Sequence, residues 1–275
     1  MKAGIYLGKE QIEIRELPLP EVGDDDVLVQ NIYSSVCGTD VAVFTHGPNT
    51  GHKVTVGCRA ARQRMIPCGK EQYVAGQNAV VFGCGTIGIA AAVAFKHFGM
   101  EKVMICDRSD FRLGLAEQLG FAICNTVSED FAARAIDYFG TAPSLNGAVA
   151  NIDCWLDAAG AESILDDFLR LGKIESRFVS VAVNNKPRSI DLLHMTYAQQ
   201  SIIGSGGYMP EDVRDVQKIM ASEKWNLEQI ITHEFSLDEL EQAIRTAGDV
   251  DHAGNVVIKI KDEIGLPTGG DIHIL

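Results

Sequence analysis

The feature that most constrains this sequence is a glycine-rich hexapeptide, Gly-Cys-Gly-Thr-Ile-Gly, at residues 83–88. It follows the apolar run AVVF, which is typical of a buried strand, and it opens an apolar segment with a helical pattern that ends at Gly99. The next run, KVMIC, is again typical of a strand and is followed by Asp107. A G-x-G-x-x-G sequence alone is a weak signal. Between a strand and a helix, with an acid some way further on, it predicts a dinucleotide-binding turn.

Each residue of this turn has a physical role in that prediction. Gly83 permits the tight turn, Gly85 lets a pyrophosphate approach the backbone, and Gly88 lets the helix pack closely on the strand. Thr86 and Ile87 complete the first helical turn, whose N–H groups and positive dipole end attract phosphate. These five residues are therefore predicted to bind the cofactor.

The residues after the second strand indicate which dinucleotide is bound. The Asp107 carboxylate can accept hydrogen bonds from both hydroxyls of the adenosine ribose and would repel a 2′-phosphate, so NAD is predicted rather than NADP. Arg108, which follows directly, weakens that preference and is itself a candidate cofactor contact. The alternative is a glycine-rich turn in an α/β protein that binds no nucleotide.

The rest of the chain predicts the fold class. Strand-like and helix-like runs alternate after residue 79, which calls for a parallel sheet covered on both faces. The prediction is an α/β fold with a Rossmann-type doubly wound parallel sheet, preceded by a β-rich region. The β-rich start, a connecting helix and linker, the sheet domain, a returning helix and strand, and a tail are expected at residues 1–57, 58–78, 79–235, 236–262 and 263–275.

Composition excludes several classes of partner. The formal net charge of −13 disfavours nucleic acid and anionic membranes as partners. The longest uncharged apolar stretch, residues 79–95, is interrupted by three glycines and is better explained as strand, turn and helix than as a membrane span. The first residues lack a signal-peptide pattern, so the cytoplasm is the expected location.

The seven cysteines favour reduced thiols. Their number is odd and no two form a C-x-x-C pair, which argues against a disulfide framework and against a four-cysteine structural zinc lobe. One of them, Cys37, lies in the stretch SSVCGTD beside a hydroxyl and a carboxylate. Taken alone, this stretch is compatible with a metal ligand and with an ordinary buried thiol.

Three stretches resemble the medium-chain, zinc-type alcohol and polyol dehydrogenases, in particular their sorbitol dehydrogenase-like branch. Residues 1–40, which end in Cys-Gly-Thr-Asp, resemble the start of that family's GroES-like catalytic domain. Residues 79–120 resemble its cofactor domain, and ITHEFSLDELEQAI with VVIKI resembles the return to the catalytic domain. The resemblance implies hydride transfer between NAD and a secondary alcohol or polyol, with that small molecule as the partner.

The resemblance also assigns roles by position. Cys37 matches the first catalytic zinc ligand, Thr39 the hydroxyl that passes on the substrate proton, and Asp40 the acid beside the zinc ligands. In such a site zinc polarises the alcohol oxygen and lowers its pKa, and hydride leaves to the nicotinamide.

The sequence departs from the family after Cys37. The family's second ligand is a histidine in a G-H-E stretch, whereas the one G-H pair here is Gly51-His52, and Lys53 replaces the acid. The sequence then runs into CRAAR, residues 58–62, which resembles the helix leading into the cofactor domain. The resemblance therefore implies a truncated GroES-like β domain beside the Rossmann-type sheet. Much of the catalytic domain is expected to be missing, including the G-H-E stretch, the third ligand and the structural zinc lobe.

This departure makes zinc a doubtful cofactor. A catalytic zinc usually needs three protein ligands. His46, His52, Cys58 and Cys68 could substitute for the missing ones, but their spacing does not require it. We therefore expect NAD binding with poor turnover of alcohols. A non-catalytic NAD-binding relative and a zinc-independent reductase stay open as alternatives.

A few further residues are weaker candidates. Asp157 follows a strand and either lines the site or caps the next helix. Residues 181–183, ending at Val183, occupy the place where the family docks the nicotinamide carboxamide, or form a plain core strand. Trp155 and Trp225 are expected to serve packing. Loss of part of a β domain would expose apolar surface, so a homo-oligomer is expected.

Overall fold

The structure is a computed structural model that describes residues 1–26, 28–29, 31–47, 74–182, 187–207 and 209–260. These residues belong to two compact units. The smaller unit contains the described residues up to 47 with 231–249 and 255–260, and the larger unit contains those from 74 to 230 with 250–254.

The secondary-structure elements are numbered in chain order. The strands are β1 (Lys2–Gly8), β2 (Gln11–Glu16), β3 (Tyr33–Val36), β4 (Asn78–Phe82), β5 (Lys102–Asp107), β6 (Ala122–Asn125), β7 (Thr141–Ser144), β8 (Gly147–Ala150), β9 (Cys154–Asp157), β10 (Arg177–Ser180), β11 (Ser201–Gly204), β12 (Ile231–Ser236) and β13 (Asn255–Lys259). The helices are α1 (Gly38–His46), α2 (Thr86–His97), α3 (Asp110–Gln118), α4 (Phe131–Phe139), α5 (Glu162–Leu171), α6 (Leu192–Ala198), α7 (Pro210–Ala221) and α8 (Leu240–Ala247).

The larger unit is built on a six-stranded parallel sheet in the order β11-β10-β9-β4-β5-β6. Counted along the chain, this is the 3-2-1-4-5-6 arrangement of a doubly wound Rossmann sheet, read from β6 to β11. Every residue of β4 and of β9 is buried, as expected for central strands whose two faces are both covered. The predicted α/β fold class is confirmed.

Two separate cores lie on the two faces of this sheet. Val81 and Ile105 point into the core shared with α2, α3 and α7, whereas Val80 and Met104 point into the core shared with α4 and α5. The alternation follows from the two-residue period of a strand. The carboxyl ends of β4, β5 and β9 therefore lie side by side at one edge, where ligands bind in sheets of this type.

The smaller unit consists of a β1–β2 hairpin and a three-stranded sheet in the order β12-β13-β3. Helices α1 and α8 pack together, and the Arg245 guanidinium lies 4.9 Å from the ring centroid of the buried Phe44. The Lys2 ammonium pairs with Asp238 at 2.9 Å and joins the hairpin to the returning segment.

Two elements differ from the pattern expected from the sequence. Residues 38–46 were expected in a β region but form α1, since the Asp40 carboxylate caps the backbone N–H of Cys37 at 2.9 Å and starts a helix. The β7–β8 hairpin was not expected; Leu145 and Asn146 form its turn, and Gly147, with φ +108°, begins β8. No helix in the described part of the chain is long and apolar enough to cross a membrane.

Candidate dinucleotide site

The glycine-rich turn joins β4 to α2 with no room for side chains at two of its glycines. Gly83 has φ +103°, and a methyl group there would lie 3.0 Å from backbone atoms of Ala158 and Ala159, at the end of β9. A methyl group at Gly88 would lie 1.7 Å from the carbonyl oxygen of Gly83. These positions accept only glycine, because the backbones of the helix, the turn and the neighbouring strand lie too close together for a Cβ atom.

Gly85 is different, because the space in front of it is open. The atom nearest to a methyl group at this position would be Nη1 of Arg112, at 3.9 Å. Gly85 is the N-cap of α2 and has no side chain with which to cap the first N–H groups of that helix. Thr86 and Ile87 form its first turn and are half-buried. The backbone here offers uncapped donors and a positive dipole end to an anion.

Asp107 holds the turn in place from the neighbouring strand. Its Oδ2 accepts the backbone N–H of Cys84 at 2.6 Å, and its Oδ1 accepts the N–H groups of Arg108 and Ser109 at 2.7 and 2.9 Å. A carboxylate oxygen has more than one acceptor direction, so a ribose hydroxyl can still donate to it. Asp107 therefore organises the backbone as well as offering a charge.

These residues line a cleft of about 820 Å³ that lies within the larger unit. Its walls are the turn after β4, the end of β5, the start of α3, the β6–α4 connection and the β9–α5 connection. The position agrees with the rule that ligands bind beyond the carboxyl ends of parallel strands. Its size is within the range of small-molecule and cofactor sites.

Three arginines line this cleft, and one of them, Arg170, pairs with Asp167 at 2.7 Å. Arg108 is exposed and lines it, as does Arg112 in the first turn of α3. The Nε of Arg112 donates to the carbonyl oxygen of Ala253 at 2.9 Å. Neither Arg108 nor Arg112 forms an ion pair with the part of the chain that the structure describes. The sequence reasoning missed Arg112; its signal was its place one turn into the helix that follows Asp107.

The cysteine inside the turn has a structural role. Cys84 is fully buried, and its Sγ donates to the carbonyl oxygen of Arg112 at 3.0 Å. Burial raises its pKa to about 12, and the negative charge of Asp107 adds to the effect. A thiol that stays protonated is a poor nucleophile, so Cys84 links the turn to α3 rather than reacting.

Asp157 lies at the end of β9 and is 6% exposed. Its Oδ1 accepts the N–H groups of Ala159 and Gly160 at 3.0 and 2.7 Å, so it caps the turn that follows the strand rather than α5, whose N-cap is Ala161. Burial raises its pKa, and these two hydrogen bonds oppose the shift. Val181, directly after β10, is half-buried against the core, and Val183 lies outside the described residues.

Cys37, the first candidate zinc ligand, lies in the smaller unit. Cys37 is half-buried at the N-terminus of α1, Thr39 is exposed in its first turn, and His46 is exposed at its last residue. Burial raises the pKa of Cys37, and the negative charge of Asp40 adds to that effect. Within the described residues, no group of three or more His, Cys, Asp or Glu side chains could hold a metal ion.

The other candidate zinc ligands cannot be placed. His52, Cys58 and Cys68 lie outside the described residues. The described residues alone therefore do not fit a catalytic zinc, because they contain no group of three potential ligands and three are usual.

Comparison with known proteins agrees with this architecture. Residues 86–222, about half of the chain, match the zinc-binding dehydrogenase family. An L-threonine 3-dehydrogenase of Bacillus velezensis is 27% identical over 175 residues, which cover 63% of this chain and 48% of that protein. Sorbitol dehydrogenase 1 of Saccharomyces cerevisiae is 25% identical over 182 residues, which cover 66% of this chain and 50% of that enzyme. The chain thus spans about half the length of these curated relatives.

A solved structure shows the same fold. An Escherichia coli alcohol dehydrogenase solved in complex with NADH superposes with a TM-score of 0.77 at 18% identity, covering 94% of this chain and 99% of the other. Fold and turn thus define a Rossmann-type protein with a dinucleotide-binding pattern. The matched residues place the chain in the zinc-binding dehydrogenase family, and the relatives agree with the sequence resemblance to zinc-type alcohol and polyol dehydrogenases.

Proposed function

We propose that this chain binds NAD in the cleft at the carboxyl ends of β4, β5 and β9, and that it is an oxidoreductase acting on a secondary alcohol or polyol. The observation that carries the proposal is the juxtaposition of an open glycine at a helix N-terminus with a strand-end carboxylate in one cleft of about 820 Å³. Family membership supports the reaction class, since relatives with similar sequences are named as threonine and sorbitol dehydrogenases.

Different residues of the cleft would contact different parts of the cofactor. The backbone at Gly85 and the first turn of α2 would hold the pyrophosphate, because uncapped N–H groups meet open space there. Asp107 would accept the ribose hydroxyls and favour NAD over NADP, with Arg108 and Arg112 as the cations nearest to the phosphates. When bound, NAD supplies the nicotinamide that accepts or returns hydride.

The catalytic residues remain predictions. Thr39 is proposed to pass a proton from the substrate hydroxyl, and Asp40 to support the residues around Cys37. Val183 is proposed to contact the nicotinamide amide. These roles rest on the family resemblance, and no step of the proposal depends on a metal ion.

A second candidate is a non-catalytic NAD-binding relative. The observation that favours it is that Cys37 belongs to no group of three or more potential ligands among the described residues. Calorimetric titration with NAD and NADP, followed by NADH formation from a panel of polyols, tests both candidates. NAD binding with turnover in the usual enzyme range supports the oxidoreductase, binding without turnover supports the second candidate, and absence of binding contradicts both.

Zinc is tested in the same preparation. Metal content after dialysis and activity after chelator treatment separate a zinc enzyme from a zinc-independent reductase. About one zinc per chain, with activity lost to the chelator, would mean that residues outside the described part complete a site at Cys37.

We also propose a homo-oligomer. Strand β11 is an edge of the described sheet, and the neighbouring α6 exposes Leu192, Leu193 and Tyr197, which are 72%, 66% and 68% exposed. Unpaired strand edges and apolar patches favour association. Light scattering of wild type and of Leu192→Glu tests this, and a wild-type monomer at all concentrations would contradict it.

A further inference from the structure

One buried asparagine joins two of the loops that line the dinucleotide cleft. Asn125 is the last residue of β6, lies in register with Asp107 at the end of β5, and is 7% exposed. The end of β5 and the loop after it bring Asp107 and Arg108 to the cleft, and the loop after β6 brings Thr126 and Glu129. Asn125 itself does not line the cleft, so any influence it has on a bound dinucleotide passes through these neighbours.

The side chain of Asn125 forms four hydrogen bonds, two to each loop. Its Nδ2 donates to the carbonyl oxygen of Arg108 at 3.3 Å and to Oδ1 of Asp110 at 2.6 Å. Its Oδ1 accepts the backbone N–H groups of Val127 and Ser128 at 2.9 and 3.4 Å. A carboxamide has two N–H donors and an oxygen with two acceptor sites, so all its places are used. An aspartate of the same shape could only accept, and a leucine could do neither.

The bond to Arg108 acts on the residues that are proposed to recognise the ribose. Oδ1 of Asp107 accepts the N–H of Arg108 at 2.7 Å, and Nδ2 of Asn125 donates to the carbonyl oxygen of the same residue. The backbone of Arg108 is thus held at both its N–H and its C=O. A second link runs from the N–H of Thr126 to the carbonyl oxygen of Asp107 at 3.0 Å. The position of the Asp107 carboxylate therefore depends on how the two loops are tied together.

We propose that Asn125 is a positioning residue of the dinucleotide site, which through Arg108 holds the Asp107 carboxylate where it selects NAD over NADP. Because that carboxylate is bonded to N–H groups of the loop that Asn125 tethers, a shift of the loop takes the carboxylate with it. NAD then loses bonds from its ribose hydroxyls, whereas NADP also loses a repulsion of its 2′-phosphate and changes less. The inference rests on the proposed function, since it requires NAD to bind in this cleft.

The test makes the same substitution at two buried asparagines and starts with Asn125→Ser. This change removes the Nδ2 donor, while the new hydroxyl can still accept the N–H of Val127, as serine does in related turns. In calorimetric titrations, the dissociation constant of NAD should rise at least about fivefold and that of NADP should change by less than about twofold. The preference for NAD should therefore narrow by at least about twofold.

Asn78→Ser is the matched control. Asn78 is 6% exposed and begins β4, and its Nδ2 donates to the carbonyl oxygen of Asn151 at 2.8 Å. The control should lower the Tm as Asn125→Ser does, but it should leave both dissociation constants unchanged, because Asn78 lies at the opposite end of β4 from the cleft. If Asn125→Ser does not fold, Asn125→Thr is titrated in its place, since threonine suits the end of a strand.

Three results would overturn the inference. The first is an unchanged ratio of the two dissociation constants in folded Asn125→Ser, equal losses of affinity included. The second is the same narrowing in Asn78→Ser, which would show that general destabilisation is sufficient. The third is a wild-type chain that binds NAD and NADP equally well, which leaves no preference to set. In all three cases NAD binding itself stands, whereas a wild-type chain that binds neither nucleotide contradicts the proposed function and this inference together.

Discussion

Replacing Asp107 with asparagine separates the two roles that the structure gives to this carboxylate. In the folded chain, Oδ1 accepts the N–H groups of Arg108 and Ser109, and Oδ2 accepts that of Cys84 at 2.6 Å. Asparagine keeps one acceptor oxygen for the first pair. It places an amide NH₂ group, which is a donor, against the N–H of Cys84.

The magnitude follows from the hydrogen bonds that change. Loss of a hydrogen bond to a charged acceptor costs about 1.5–3 kcal/mol, so the free energy of unfolding should fall by about this amount through the Cys84 contact alone. In the complex, loss of the negative charge also weakens the bonds from the ribose hydroxyls. A comparable loss of about 1.5–3 kcal/mol there raises the dissociation constant of NAD roughly 10- to 150-fold.

NADP should respond differently to the same change. Its 2′-phosphate is repelled by a carboxylate, so removal of the charge offsets the lost hydrogen bonds. We expect the dissociation constant of NADP to change by less than about threefold, and the preference for NAD to narrow by at least about threefold. Arg108 stays in place and can pair with the phosphate.

Calorimetric titration of both nucleotides, together with urea unfolding, measures these quantities. Glu117→Gln is the control, because it removes the same charge from an exposed position on α3 outside the cleft. Equal losses of affinity for NAD and NADP would refute the ribose role and leave Asp107 as a purely structural residue. An unchanged stability would refute the structural role assigned to its Oδ2.

Three further changes test other parts of the structure. Gly88→Ala should abolish measurable NAD binding and lower the Tm, because its methyl group would lie 1.7 Å from the Gly83 carbonyl oxygen. The control Gly114→Ala, on α3 with open space around it, should be neutral or stabilising. Similar Tm values for the two variants would contradict this prediction. Lys173→Met should lower the free energy of unfolding in urea by about 3 kcal/mol, because it breaks a largely buried ion pair with Asp153 at 2.5 Å. A loss below about 1 kcal/mol would show that the ion pair is dispensable. Asp157→Asn keeps Oδ1 as an acceptor and removes a carboxyl group whose pKa is raised above 3.8 by burial. The wild type should therefore lose stability relative to the variant as the pH rises from below 3.8 through the raised pKa. A stability difference that does not depend on pH would contradict that shift.

The larger unit was predictable because its signals are local. The apolar runs at β4 and β5, the glycines between them and Asp107 all lie within one strand–helix–strand segment, so their spacing in the sequence fixes their spacing in the fold. The second role of Asp107 was not visible, because a hydrogen bond to the N–H of Cys84 depends on the register between neighbouring strands. Arg112 was missed for a related reason, since its partner Ala253 is distant in sequence.

The smaller unit was harder to predict because its contacts are between distant segments. The run VAVF at residues 41–44 has the composition of a strand, yet it lies in α1, where Phe44 is buried and stacks with Arg245 of α8. Packing against α8 overrides the strand preference of these residues.

The contacts of the cofactor site explain how it can persist at low sequence identity. Asp107 bonds to backbone N–H groups, Gly88 faces a backbone carbonyl, and Gly85 presents its own backbone to open space. Such contacts depend on where the chain runs and only weakly on which side chains surround it, so the neighbouring core can vary while the turn keeps its geometry. A metal centre has the opposite requirement, because several specific side chains must converge on one point. A chain of this family can therefore retain its dinucleotide turn after changes that remove zinc ligands, which is why nucleotide binding and metal content must be measured separately here.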